Sequence, residues 1–331
     1  MQVFSKISLI SQPMPANAHP TCTLVVPVYN EEAGIELFYK TILNEIANLN
    51  ADFEIIFVND GSTDRSKEIL KEITSNDTRV KIISFSRNYG HESAMIAGID
   101  YSSGDAVICL DSDLQHPPKE IGKMLEKFNE GYEVVNMVRT KNGDQNAWES
   151  FNSRFFYRLI NRISDIKLTE NASDFFLISR RVAEILKSDF RERTRFLRGI
   201  IQMVGFRRTT LEYEAAKRAA GESKYSFWKL MKLSFTAIAS FSKIPLLLGI
   251  VSGVVFGIIS IILIIYSLIM WIFATPVSGY TTLIIFLCAF ASIQLFVTGL
   301  IGQYIGYLFD EIKGRPIYLV EEITDNNPNE K

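Results

Sequence analysis

Two carboxylates separated by one residue, Asp111 and Asp113, stand in the stretch Asp111-Ser112-Asp113-Leu114-Gln115, directly after the apolar run Ala106–Leu110. That run, bounded by Gly104-Asp105 and by Pro117-Pro118, predicts a short interior strand. Side chains alternate along an extended backbone, so the two carboxylates are expected to point the same way. Like charges held that close are unfavourable unless a cation lies between them. A hard divalent ion, Mg²⁺ or Mn²⁺, takes carboxylates together with substrate phosphate oxygens. The pair therefore points to a metal–diphosphate site, against the plainer reading of a solvated acidic turn.

Similar turns recur along the chain. Apolar runs at Cys22–Val28, Phe53–Val58, Val80–Phe85, Ala106–Leu110 and Glu133–Val138 are separated by segments of helical period at Ala33–Asn48, Asp64–Thr74, Glu92–Tyr101 and Lys119–Phe128. This alternation predicts an α/β fold, a mostly parallel sheet covered on both faces, in which ligands collect beyond the carboxyl ends of the strands. Pro27-Val28-Tyr29-Asn30-Glu31-Glu32, Asn59-Asp60-Gly61-Ser62-Thr63-Asp64 and the Asp111 loop all fall there. Ser62, Thr63 and Asp64 are expected to cap a helix, as Asn30 could. Asp60, at a strand end before a Gly turn, is where a nucleoside could be met. No GxGxxG follows the first strand, which argues against a dinucleotide-binding oxidoreductase.

The 331 residues carry a net charge of −2, and no basic stripe suggests nucleic acid. Three scattered cysteines fit a reducing compartment rather than a disulfide or zinc framework. Met1–Pro20 makes a poor signal peptide. From Ile244 to Phe309 there is no Asp, Glu, Lys or Arg. A membrane span needs ~20 apolar residues, so this region predicts two, about 245–273 and 282–309. Lys224, Lys229, Lys232 and Lys243 precede them and Lys313 and Arg315 follow, placing both flanks in the cytoplasm. The expected organisation is a tail (1–20), an α/β domain (21–220), a juxtamembrane segment with a helix (221–243), two spans within 244–309 and a cytoplasmic C-terminal tail (310–331). Residues 225–241 suit a helix lying in the membrane interface. Gly249, Gly253 and Gly257, and Gly302 and Gly306, recur every four residues, as on helix faces that approach closely, within the hairpin or in a homo-oligomer.

In these motifs the chain resembles family 2 glycosyltransferases of the GT-A fold. More narrowly it resembles the polyprenyl-phosphate glycosyltransferases, bactoprenol glucosyltransferases and, more distantly, dolichol-phosphate mannose synthases. The resemblance runs from Thr23 to about Val320 through Val25–Glu32, Asn59–Asp64, Ser86–Gly90, Asp111–Pro118, Glu170–Asp174, Gly221–Tyr225 and Gly302–Val320. It implies that Pro27, Tyr29, Glu31 and Asp60 line the nucleotide. It also implies that Asp111, Asp113 and Gln115 hold the metal, that Arg139 meets the diphosphate, and that Arg218, Ser223 and Lys224 gather phosphates. Asp174, by the acceptor, and Asp113 are the implied catalytic residues. Relatives often read Asp-Phe-Arg-Leu where this chain has Asp174-Phe175-Phe176-Leu177, so that arginine is absent unless Arg180 or Arg181 substitutes.

The implied reaction is inverting transfer of a hexose from a nucleotide sugar, UDP-glucose first, to undecaprenyl phosphate at the cytoplasmic face of the plasma membrane. UDP-N-acetylglucosamine and GDP-mannose are alternative donors. A processive synthase would need a larger channel and a Gln-x-x-Arg-Trp motif, and neither is present. A catalytically dead scaffold would not be expected to keep Asp111, Asp113, Gln115 and Asp174. His116 reads as loop architecture, His91 carries little weight, and Arg191, Arg193, Arg195 and Arg198 read as a solvated or membrane-facing surface.

Overall fold

Runs of buried aliphatic residues set the centre of the sheet: β1 (Thr21–Val28), β2 (Asp52–Asn59), β3 (Val80–Phe85) and β4 (Ala106–Cys109) are almost wholly enclosed. The computed structural model describes residues 19–140, 172–193, 196–214, 244–273 and 279–326. These fall into two compact units: residues up to 214 together with 316–326, and the helices within 244–315. In the first, β5 (Val134–Arg139), β6 (Ala172–Ser179), β7 (Arg208–Tyr213) and β8 (Val320–Asp325) complete an eight-stranded sheet in the order β7-β5-β6-β4-β1-β2-β3-β8. The four central strands pair in parallel, as do β5 and β7, while β6 and β8 run antiparallel to their neighbours. The sheet is thus mostly parallel, as the alternation predicts.

The two faces bury alternate residues, following the period of the extended chain. Leu24, Val26, Ile55, Phe57, Ile82 and Ile108 meet α1 (Ile35–Ile46), α2 (Ser66–Asn76) and α4 (Ile121–Asn129) on one face. Ile56, Val58, Ile83 and Phe85 meet α3 (His91–Tyr101) on the other. Helix α3 comes so near that a Cβ at Gly98 would lie 2.1 Å from Val25 Cγ1. Two further helices, α5 (Arg180–Asp189) and α6 (Leu197–Met203), follow β6.

Residues 310–331 hold a strand rather than a plain tail. Val320–Asp325 adds to the edge of β3, with Lys67 to Glu321 at 2.9 Å, Lys71 to Glu322 at 2.8 Å and Lys81 to Asp325 at 3.2 Å neutralising its acidic side chains. Tyr318 stacks on Phe85 and donates its hydroxyl to Asp100 at 2.6 Å.

The second unit contains α7 (Ile244–Phe273) and α8 (Tyr280–Ile312), of 30 and 33 residues. Within α8, Ala289–Ile312 is long and apolar enough to cross a membrane; Val251–Tyr266 of α7 is a shorter apolar stretch. The pair closes on itself where a Cβ at Gly249 would lie 2.8 Å from Val297 Cγ1, and where Phe256 meets Phe290 edge-on.

Candidate active site

Strand polarity brings the sequence-selected residues to one edge of the sheet. The carboxyl ends of β1, β2 and β4 carry Tyr29, Asp60 and Asp111. Strand β6 is antiparallel to β4, so its first residues, including Asp174, reach the same edge, and β5 and β7 end there in Arg139 and Tyr213. Pro27 is enclosed within β1, opposite Val58. Pairing with β4 stops at Val25, so the missing proline N–H breaks no ladder bond. Tyr29, the first residue past β1, is 46% exposed and so open to a ligand.

The loops after β1 and β2 are stitched together by side chain–backbone bonds. Asn30, with φ +55°, accepts the Thr63 N–H at 2.8 Å, while the Asn30 N–H donates to Ser62 Oγ at 3.1 Å. Glu31 N–H donates to Ser66 Oγ at 2.9 Å, and Glu32 N–H to Asp64 Oδ2 at 3.1 Å. The expected capping by Ser62 and Thr63 is therefore corrected: α2 begins at Ser66, and these side chains bind the neighbouring loop instead. Asp60 also differs in emphasis from the nucleotide-lining expectation. It is 2% exposed, and its oxygens accept the N–H groups of Tyr89 at 2.6 Å and Gly90 at 2.9 Å. Burial raises its carboxyl above the usual range and the two N–H groups draw it partly back. Gly61 opposite has φ +66°, and any Cβ there would strike the Arg87 carbonyl carbon at 2.4 Å. Asp60 and Gly61 thus shape the Ser86–Gly90 loop that leads into His91.

Strand β4 ends at Cys109, so Asp111 and Asp113 lie in a turn and not on the extended backbone whose alternation was expected to align them. The turn is held by Asp113 Oδ1, which accepts the Gln115 N–H at 3.0 Å, and by His116 Nδ1, which accepts the Asp111 N–H at 3.0 Å. His116 is anchored by stacking on Phe175. Leu114 between them has φ +62°, a left-handed conformation costly for a bulky side chain. Among the described residues no three His, Cys, Asp or Glu side chains form a ready metal cluster. Asp111 Oδ1 is nevertheless buried and receives no hydrogen bond, although His91 Nε2 lies 3.3 Å away. An orphaned carboxylate oxygen is costly in the absence of a cation, so the turn fits a hard divalent ion.

Asp174 is bound by Arg198: Nε and Nη2 donate to its two oxygens while Nη1 donates to the Ala172 carbonyl at 3.2 Å. Burial alone would raise the Asp174 carboxyl, but the charge and hydrogen bonds of Arg198 leave it lowered. Reading Arg198 as a solvated surface charge is therefore corrected. Neither Arg180, which binds the Gly104 and Ser102 carbonyls, nor Arg181, which binds Glu133, takes the place beside Asp174. The signal was present in the sequence, for Arg198 stands inside the apolar run Phe196-Leu197-Arg198-Gly199-Ile200-Ile201. His91, to which the sequence gives little weight, stands in the site. Its Nε2 lies 3.3 Å from Asp111 and 3.8 Å from Asp174, joining the two acidic centres. Beside it, Glu92 is pushed up to about 7 by burial and then by the Asp174 charge. Arg139 lies at the exposed end of β5, opposite Tyr213. Arg218, Ser223, Lys224 and residues 225–241, where a helix was expected, lie outside the described residues.

The family profile described as glycosyl transferase family 2 matches residues 23–186. The uncharacterized glycosyltransferase YkcC of Bacillus subtilis is 41% identical over 305 residues, covering 92% of this chain and 94% of that one. The SfII prophage-derived bactoprenol glucosyl transferase of Shigella flexneri is 39% identical over 311 residues, covering 92% and 99%. Glucosyl-3-phosphoglycerate synthase from Mycobacterium tuberculosis, solved with Mn²⁺, UDP and glucosyl-3-phosphoglycerate, aligns at TM-score 0.47 and 19% identity over 70% of this chain and 81% of that one. The family match and these relatives make the chain, with its mostly parallel sheet, a sugar-transferring enzyme. The chain belongs to glycosyl transferase family 2.

Proposed function

We propose that this enzyme transfers a hexose, glucose from UDP-glucose, to a polyprenyl phosphate such as undecaprenyl phosphate, with inversion at the anomeric carbon. The reading is supported by relatives named bactoprenol glucosyl transferases that align over nine-tenths or more of both chains. The observation that carries it is the meeting of Asp111, His91, Asp174 and Arg198 at one sheet edge. In this reading helices α7 and α8 anchor the chain in the plasma membrane with the catalytic unit cytoplasmic, and the lipid-linked sugar serves surface polysaccharide modification.

Asp111, Asp113 and Gln115 would hold Mg²⁺ or Mn²⁺, which when bound supplies positive charge to the leaving diphosphate. Tyr29 and the loops ordered by Asn30 and Asp60 would cradle the nucleoside, and Arg139 would approach the diphosphate. An acceptor phosphate with a second pKa near ~6 is largely a dianion at neutral pH, so attack needs no strong base. Asp174, held ionised by Arg198, suits an orienting task. The test is to offer the purified full chain a panel of nucleotide sugars with undecaprenyl phosphate, with Mn²⁺ or EDTA, and to identify the lipid product by mass spectrometry. A hexosyl lipid formed from UDP-glucose only with metal is the expected result; no hexosyl lipid, or full yield in EDTA, would overturn the reading.

A further inference from the structure

Asp174 is mostly enclosed, with 12% of its side chain exposed, whereas Arg198, the second residue of α6, exposes 36%. The guanidinium is fixed on three nitrogens: Nε and Nη2 by Asp174, and Nη1 by the Ala172 carbonyl. Its backbone is fixed as well, since Gln202, itself buried, donates Nε2 to the Arg198 carbonyl at 3.0 Å. The side chain is thus a rigid planar cation with about a third of its surface accessible, beside the carboxylate of Asp174, which His91 joins to that of Asp111. An approaching phosphate dianion would be repelled by those carboxylates, whereas a guanidinium plane matches phosphate oxygens in pairs.

We infer that Arg198 receives the phosphate of the acceptor and that Asp174 acts by aiming it. The inference deepens the proposed function, because it takes from that reading an acceptor that is a phosphate monoester. The lowered Asp174 carboxyl agrees with it: a carboxylate held ionised is a poor proton acceptor, so its contribution runs through what it holds.

The experiment titrates the full chain in detergent with decyl phosphate, and separately with inorganic phosphate and with UDP plus Mn²⁺, comparing wild type with Arg198→Ala, Arg198→Lys and Asp174→Asn. Loss of a charge-assisted contact should weaken decyl phosphate binding roughly ten- to hundredfold in Arg198→Ala. Arg198→Lys should fall between that variant and wild type, and UDP binding should not change. Asp174→Asn removes a repelling charge while an amide oxygen still accepts from Arg198, so decyl phosphate binding should hold or tighten although turnover falls. An ion pair with a purely structural task predicts the opposite, equal loss in Arg198→Ala and Asp174→Asn together with equal loss of UDP binding, and that result would overturn the inference. Unchanged decyl phosphate binding in Arg198→Ala, or inorganic phosphate binding as tightly as decyl phosphate, would overturn it too. Wild type that binds decyl phosphate through Arg198 yet makes no hexosyl lipid would instead refute the proposed transfer reaction.

Discussion

Asp111 concentrates the chemistry of the site in one unsatisfied atom, the buried Oδ1 beside His91. Replacing it by an amide removes the negative charge a divalent ion would need. Asp111→Asn or Asp113→Asn should therefore cut turnover roughly a hundredfold or more and abolish the Mn²⁺-dependent part of donor binding, read by calorimetry with and without the ion. Either variant working at the wild-type rate in EDTA would remove these residues from the ligand set. The residue types of this turn were legible because two carboxylates beside a buried strand end are hard to explain otherwise. Their geometry was not, because the strand stops at Cys109 and Leu114 takes a left-handed conformation that no spacing rule encodes. Glu92 was invisible for a different reason, since its elevation to about 7 comes from burial and from Asp174, distant in sequence. The sign of its pH effect follows from that elevation. Between its ordinary value of 4.5 and about 7 the folded chain holds a proton that the unfolded chain has released, so this contribution to stability is full below 4.5 and lost as pH rises through 7. Glu92→Gln should unfold at the same temperature at pH 8 as at pH 5 more nearly than wild type does, and be the more stable of the two at pH 8. Parallel pH profiles for the two proteins would show that Glu92 is ionised in the fold.

At the scale of elements, strand–helix alternation was readable because buried parallel strands are continuous apolar runs and their covering helices repeat Ile35, Phe38, Ile42, Ile46 at helical spacing. Strand β8 escaped because half of Val320-Glu321-Glu322-Ile323-Thr324-Asp325 is acidic, and it is stable only where Lys67, Lys71 and Lys81 wait at the edge of β3. Arg198 was misread for a related reason: the neighbouring arginines suggested a surface, while its partner Asp174 lies 24 positions away in another element. Helix α3, which carries His91 and Glu92 to the site, depends on close approach at Gly98. An alanine methyl there would overlap Val25, and overpacking of this kind costs ~1–3 kcal/mol. Gly98→Ala should lower the thermal midpoint and also the transfer rate, because tilting α3 moves His91. The second substitution Val25→Ala should restore part of both, as it opens the space the methyl needs. A Gly98→Ala chain as stable and active as wild type would mean that α3 can shift without penalty.

For the molecule as a whole, charge and hydropathy divide the chain more sharply than its net charge of −2 suggests, since residues 244–309 carry no ionised side chain at all. This was the most legible large-scale feature, because nothing but a long apolar helix accounts for such a run. Length was the less legible part: α8 continues to Ile312, past the last uncharged residue, and takes in Asp310 and Glu311. A helix of 33 residues is ~50 Å long at 1.5 Å per residue, longer than the ~30 Å hydrocarbon layer, so its charged end can stand in the headgroup region. Many apolar side chains of this unit point outward, Leu295 72% and Phe296 66% exposed on α8 and Ile262 59% on α7. Surfaces so apolar are not left in water by soluble monomers. Lipid, not peripheral charge, should therefore hold the chain to membranes. When cell membranes carrying it are washed with 1 M salt or with alkaline carbonate, concentrations chosen to screen ion pairs and to open vesicles, the protein should stay with the pellet and leave it only with detergent. Replacing Leu295 and Phe296 together by lysine puts two charges on the outward face of α8, each costing ~2.5–3.5 kcal/mol near a membrane centre, and should shift much of the chain into the carbonate supernatant. Release of the unaltered protein by carbonate would show that these helices are covered by protein instead of lipid.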